Sequence, residues 1–280
     1  MLFKKLKSIL FVNFTHFSAL CRRYVALIFA DKMSLCTLIF QAPVMVIIMS
    51  LACSSKFGYY EATVTMFIVS CVCVIMATLN SYLEICKERE ILIRETNAGL
   101  DSTAYVLSKV FIQGIICLFQ ALVLVIGTAL FIDFNISSFG SYLNYFFFTF
   151  LILLTSTCIG LFISALLKNS NSAILPVLFI IIAQVVLSGA IIPLPKEFDW
   201  LHFFAISSFA LGGYSHIFDF PGLAKQIEEA SVLIGNPVTV HVKDIFLQSY
   251  SSCVLVMIGI SILCITLTIL LVRKLRKKKF

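Results

Sequence analysis

Six long apolar stretches set the limits on what this chain can become: about Met33 to Cys53, Val64 to Leu83, Ala104 to Ile132, Leu143 to Leu167, Ala173 to Leu194 and Tyr250 to Val272. Each is near or above the ~20 residues that a helix needs to cross a ~30 Å hydrocarbon core. A sequence that is 60% hydrophobic and 12% charged would not stay dissolved as a monomeric globular domain. The positive charges then orient the stretches. With the N-terminus placed in the cytoplasm, 17 Lys and Arg fall inside and only 4 outside (Lys56, Lys196, Lys225 and Lys243), whereas Asp and Glu divide 6 to 8. That asymmetry is the one the positive-inside rule describes. The expected fold is an all-α integral membrane protein of the plasma (inner) membrane, with both termini cytoplasmic.

The organisation follows. Residues 1–32 form a cytoplasmic N-terminus with an interfacial helix, residues 33–272 a six-helix membrane domain, and residues 273–280 a basic cytoplasmic tail. The net charge of +7 gathers at the membrane boundary, above all in Arg273-Lys274-Leu275-Arg276-Lys277-Lys278-Lys279. It reads as an anchor against anionic headgroups of the bilayer and not as a nucleic-acid site. Met1 to Leu10 is basic but lacks an apolar core ending in a cleavage site, so no signal peptide is expected there. Most of the ten cysteines fall within spans, where Cys behaves as a small hydrophobe, and structural disulfides are not expected.

Before the first span, Leu10, Phe14, Phe17, Cys21, Tyr24 and Ile28 make one helical stripe, with Asn13, His16, Arg22 and Arg23 at polar positions. A basic amphipathic helix beside a span lies in the interface plane; the other reading is an extension of the first span. The loop at residues 84–100 is unusual. Glu84 to Glu95 carries seven charges in twelve residues, with Glu84 and Glu88, and Glu90 and Arg94, paired at i, i+4. Ile91, Leu92 and Ile93 add an apolar patch, Thr96-Asn97-Ala98-Gly99 supplies stop chemistry, and Asp101 or Ser102 can cap the next helix. The second span is expected to run on as helix into the cytosol, followed by a short charged helix that offers a docking surface. On the other side, the long loop at residues 195–249 follows Pro193-Leu194-Pro195, which ends the fifth span. Its aromatic first half, through Trp200 and Gly212-Gly213, suits re-entrant or interfacial helices, and its second half a small polar cap. Asn135-Ile136-Ser137 matches the glycosylation pattern by sequence alone.

No catalytic constellation emerges. His16, His202, His216 and His241 have no metal-ligand spacing, and neither a nucleophile elbow nor a phosphate loop is present. The middle of every span lacks Asp, Glu, Lys and Arg, with Glu84 and Lys109 near cytoplasmic ends, so a proton- or sodium-driven carrier lacks its charge. Gln41, Asn80, Gln113, Gln120 and Gln184 instead read as polar groups that knit helices together.

The charged loop carries a resemblance. Glu88-Arg89-Glu90, Arg94-Glu95, Gly99 and Ala104-Tyr105-Val106-Leu107-Ser108-Lys109 resemble the first cytoplasmic loop of the G subfamily of ABC transporters. Arg22-Arg23, Asp31 and Gln41-Ala42-Pro43 look like that family's connecting helix and first span, and Ser188-Gly189-Ala190-Ile191 and Trp200-Leu201 like its fifth-helix exit and external loop. Asp101 stands where the family usually has Tyr, and Ser207-Ser208 lacks the family's proline. The resemblance implies a stand-alone, bacterial-type permease subunit of an exporter for a lipid, peptide or drug. It implies a separate ABC ATPase that binds ATP and Mg, no cofactor or catalytic residue on this chain, and a second permease copy or paralogue. It further implies that Glu84, Glu88, Arg89, Glu90, Arg94, Glu95 and Gly99 couple to the ATPase. Met76, Ile182 and Val185 would line the cargo cavity, with Ala190 and Ile191 as a plug. The rival readings are a permease-like scaffold or sensor, and an unrelated channel or secondary carrier.

Overall fold

The computed structural model describes residues 14–52, 59–132, 138–167, 174–189, 196–233 and 244–275. The expected plug residues Ala190 and Ile191, the prolines at 193 and 195, the Asn135 sequon, His241 and the basic tail beyond Leu275 lie outside them. The described residues are almost all helical, joined by turns, as backbone in lipid must be, because a helix satisfies its own amides and carbonyls. In order they form α1 (Phe14–Ala30), α2 (Lys32–Ala52), α3 (Tyr59–Ser81), α4 (Arg89–Asn97), α5 (Ser102–Phe131) and α6 (Phe139–Leu166). Then follow α7 (Ile174–Val186), a 3-10 segment (Lys196–Phe204), α8 (Ile206–Ile217), α9 (Phe220–Leu233), a short 3-10 turn (Asp244–Leu247) and α10 (Tyr250–Leu275). Five helices, α2, α3, α5, α6 and α10, are long and apolar enough to cross a bilayer, and α7 is a shorter apolar helix. The protein is a multi-pass membrane protein.

α6 is the centre of the bundle, with α3, α5 and α10 packed around it and α2 outside α5. Its inner face is small and hydroxylated: Thr149, Thr155, Ser156, Thr157, Gly160 and Ser164 are all buried. Small residues let membrane helices approach closely, and their hydroxyls bond across the gap. Thr128 of α5 meets the Tyr145 hydroxyl at 3.0 Å, Ser261 of α10 donates to Thr155 at 3.0 Å, and Cys117 pairs with Thr157 at 3.2 Å. The amides act as expected at four of the five positions. Asn80 donates to Gln120 Oε1 (3.3 Å), Gln120 to the Leu38 carbonyl (3.4 Å), Gln113 to the Tyr24 hydroxyl (2.8 Å) and Gln184 to the Phe204 carbonyl (3.1 Å). The Gln41 Oε1 is buried with no partner.

Two expectations about helix limits change. α7 ends at Val186, ahead of Leu194, because Ser188 bonds back to the Val185 carbonyl and Gly189 turns the chain at φ +69°. α3 ends at Ser81 instead of running on, and turns carry the chain from Tyr82 to Glu88. The cause is Ser164 of α6, whose Oγ accepts the backbone N–H of both Ile85 and Cys86 (2.9 and 3.0 Å), which a continuing helix would have used itself. In α1 the buried positions are Leu20 and Tyr24, with Phe17, Cys21 and Ile28 half-buried; Phe14 is exposed, and Leu10, where the expected stripe starts, lies outside the described residues.

At the opposite end the loop folds back into the protein. α8 is buried from Ile206 to Ser215, wedged among α3, α6 and α10. Gly213 permits this: a Cβ there would collide with the ring of Phe148, which meets Tyr214 edge-on and Tyr250 at a tilt. Gly213→Val is expected to cost about 1–3 kcal/mol through overpacking, read as a lowered unfolding midpoint in detergent with membrane insertion unchanged.

Candidate functional site

The basal end of the bundle, where α1, α4 and the C-terminus of α10 gather, is built around one buried cation. Lys109 sits two turns into α5 and is 2% exposed. An ammonium at that depth must be paired, and long side chains bring the partners to it. Glu84 and Glu88 reach it from the loop, at 3.2 and 2.9 Å. Their i, i+4 spacing lets both carboxylates meet the same nitrogen. The ring of Tyr24 covers the ammonium at 3.7 Å, a cation–π contact that adds to the pairing.

Further bonds hold these carboxylates in place. The Tyr105 hydroxyl donates to Glu88 Oε2 (3.0 Å), and Lys87 pairs with Glu84 at 2.5 Å. Arg23 of α1 bridges Glu88 (3.7 Å) and Glu95 (2.5 Å). Three cations thus face three carboxylates. Burial pushes the Glu84 carboxyl up, but Lys109 and then Lys87 outweigh it and hold the group below the ordinary glutamate range. The Tyr24 hydroxyl is raised well above its usual value, by burial first and then by Glu84.

The coupling residues expected from the sequence therefore divide by role. Glu84 and Glu88 point inward, and Glu95 ties α4 to α1. Arg89 donates to the carbonyls of Leu167 (2.6 Å) and Ala165 (3.3 Å), closing the C-terminus of α6 where its dipole favours a cation. Of the charged residues in this set only Glu90 and Arg94 face outward, and Gly99 is exposed with them. The apolar patch splits as well: Leu92 is buried with Ile85, Tyr105, Val272 and Leu275, Ile93 is half-buried, and Ile91 alone is exposed, at 47%. Asp101 caps α5 by accepting the Thr103 N–H (3.0 Å), and Gly99 makes the preceding turn at φ +107°. Of the expected cavity positions, Met76 is 0% exposed inside the protein's own core. Ile182 is 59% exposed on α7, and Val185 is half-buried.

Lys109, Arg23, Tyr24 and Tyr105 were not among the residues singled out by the loop's charge pattern. A signal for them exists. Tyr105, Lys109 and Gln113 recur at i, i+4, i+8 on one face of α5, matching the i, i+4 pair of acids opposite. Among the described residues no cluster of His, Cys, Asp and Glu forms a metal site. His202 and His216 instead contact the backbone carbonyls of Leu187 (2.8 Å) and Gln248 (2.5 Å).

The family model described as ABC-2 type transporter matches residues 15–215, and the chain belongs to that family as a type 2 ABC permease membrane domain. No curated protein matches the chain. It is a permease subunit of an ABC transporter, and the family implies an ATP-binding partner.

Removing the central cation tests the cluster. Lys109→Met leaves two buried carboxylates without it and is expected to cost about 3–5 kcal/mol at neutral pH. In the wild type the depressed Glu84 contributes stability above the ordinary glutamate value of about 4.3, lost only as pH falls through its lowered value. In the variant Glu84 keeps its burial but loses the Lys109 charge that most offsets it, so its carboxyl rises and the deficit shrinks as pH falls and it protonates. Unfolding midpoints in detergent across neutral to acidic pH check both signs.

Proposed function

We propose that this chain is the membrane half of an ATP-driven exporter that moves an amphipathic or apolar cargo, with its basal end in the cytosol. The observation that carries the reading is the division of the loop. Its inner face is locked to α1, α5 and α6 through Lys109, Arg23 and Arg89, while Glu90, Ile91 and Arg94 remain free of the bundle on the outer face of α4. A loop that served only as a connector would not need three anchors. One that receives a push does, because the anchors deliver it to several helices at once. In this reading a partner ATPase, holding ATP and Mg, seats on α4. Its closure moves the basal ends of the helices, and two permease copies rock as rigid bodies around a shared path. The apolar face of α7, with Ile182 and Val185, lines that path, and the plug falls to Ala190 and Ile191. The absence of charged side chains at mid-span positions supports an apolar or amphipathic cargo over an ion.

Two measurements test this. Reversing Glu90 and Arg94 together (Glu90→Lys, Arg94→Glu) should abolish cargo-stimulated ATP hydrolysis in the reconstituted complex while leaving thermal stability within about 0.5 kcal/mol, as surface substitutions do. Full stimulation would remove the coupling role. For orientation, a membrane-impermeant thiol reagent should reach Lys225→Cys on α9 in intact cells and miss Lys274→Cys at the end of α10. The reverse pattern would turn the protein over and detach the ATPase from α4.

A further inference from the structure

α7 holds an orientation that hydropathy does not explain. From Ile174 to Val186 it is apolar on every side, and Gln184 is its one hydrogen-bonding side chain. Yet the helix turns Val177 and Ile181 inward, against Ile163 of α6, and leaves Leu175, Leu178, Phe179 and Ile182 exposed. The inward and outward residues are equally at home in hydrocarbon, and between helices in lipid no hydrophobic force selects a face. Something else fixes the rotation. Val177, Ile181 and Gln184 recur at i, i+4, i+7, so the amide sits on the inward stripe.

Gln184 exchanges bonds with the start of α8. Its Nε2 donates to the Phe204 carbonyl (3.1 Å), its Oε1 accepts the Ser207 N–H (3.5 Å), and its own backbone carbonyl accepts the Ser207 hydroxyl. Each helix thus caps the other. Ser207 satisfies one of the terminal carbonyls of α7, and Gln184 satisfies an amide in the first turn of α8. His202 adds a contact to the Leu187 carbonyl (2.8 Å), just past the end of α7. The far side of this clasp is fixed, because α8 is buried from Ile206 to Ser215 and its Tyr214 hydroxyl meets Thr149 at 3.0 Å. A helix with no preferred face is therefore tied, by its only amide, to an element that cannot turn.

We propose that Gln184 is a positioning residue: through this reciprocal cap it sets the rotation of α7 about its own axis, and so decides which side chains the helix presents outward. A turn of about 100°, one residue's worth, would replace the exposed stripe with a different set. The consequence for transport rests on the reading that α7 lines the cargo path, where Ile182 and Val185 flank Gln184 in sequence. The rotation itself does not depend on that reading.

The test places a small diazirine amino acid, by amber suppression, at Val177, Leu178, Phe179 or Ile181 of the full chain in phosphatidylcholine nanodiscs. After illumination, intact mass separates adducts made outside the chain, to lipid or to a second copy, from insertions within it, which add no mass. With Phe179 76% exposed and Val177 1%, the outward pair should give about tenfold more external adduct than the inward pair. Gln184→Leu keeps the bulk, removes the amide and should bring that ratio within about twofold. Ser207→Ala removes one buried hydroxyl from the other side of the clasp and should lower the ratio in the same direction, which keeps the test open if Gln184→Leu fails to fold. Ser261→Ala breaks an interhelical bond elsewhere, to Thr155, and should leave the ratio unchanged. In the complex with its ATPase, a collapsed ratio with unchanged cargo moved per ATP keeps the positioning role and removes α7 from the path. A ratio that stays near its wild-type value in both clasp variants, or that collapses equally in Ser261→Ala, overturns the proposal, as does a wild type with no contrast between the two faces.

Discussion

A single ammonium governs the basal end of this permease. Lys109 is placed by the register of α5, and its burial obliges carboxylates to come to it. Glu84 and Glu88 do so only if α3 stops and the chain turns across the face of α6, where Ser164 holds the turn. Once they are in place, α4 has one seat, Arg89 reaches the end of α6, and Arg23 and Tyr24 draw α1 over the top. Well-packed apolar residues could supply comparable stability in place of a buried ion cluster. They would not select one position for a charged loop, because apolar contacts tolerate sliding and a multi-point ion pair does not.

The middle of the bundle is held differently. There the contacts between helices are single hydroxyl and thiol bonds, such as Tyr145 with Thr128, Tyr214 with Thr149, and Ser261 with Thr155. Interhelical bonds of this kind in a bilayer are worth about 0.6 kcal/mol on average. The protein therefore pairs a firm base with a yielding interior. That combination suits the proposed rocking, since displacement of the base reaches several helices while few strong contacts resist their rearrangement above.

Much of this was legible in the sequence, because bilayer thickness and charge asymmetry act on runs of residues and need no tertiary knowledge. Five of the six expected spans, the charged helix α4 and the Asp101 cap follow from such local rules, while the stretch from Ala173 to Leu194 yields the shorter α7. The assignment of faces did not. Every span residue is apolar enough for lipid, so hydropathy cannot separate the lipid stripe of α5 (Phe111, Ile115, Leu118, Leu122, Ile126) from its inner stripe (Gln113, Cys117, Gln120, Leu124, Thr128). The inner stripe is marked only by small and polar residues. The loop misled for a related reason. Seven charges in twelve residues suggest exposure, yet Glu84 and Glu88 are buried because their partner lies on α5, which loop composition cannot report.

The burial of α8 fixes an order of assembly. At 12 residues the helix is too short to be handed to the bilayer as a span, and its chain segment emerges before α10 exists. Yet one wall of its seat is α10, with α3 and α6 forming the others. The segment must therefore wait at the membrane surface with Phe209 and Tyr214 unsheltered until the last helix has inserted, and only then tuck inward. Completion of the protein is thus a post-insertion event. A chain cut short before Tyr250 would leave the wedge with nowhere to go, exposing an aromatic surface of the kind that quality-control proteases and chaperones recognise.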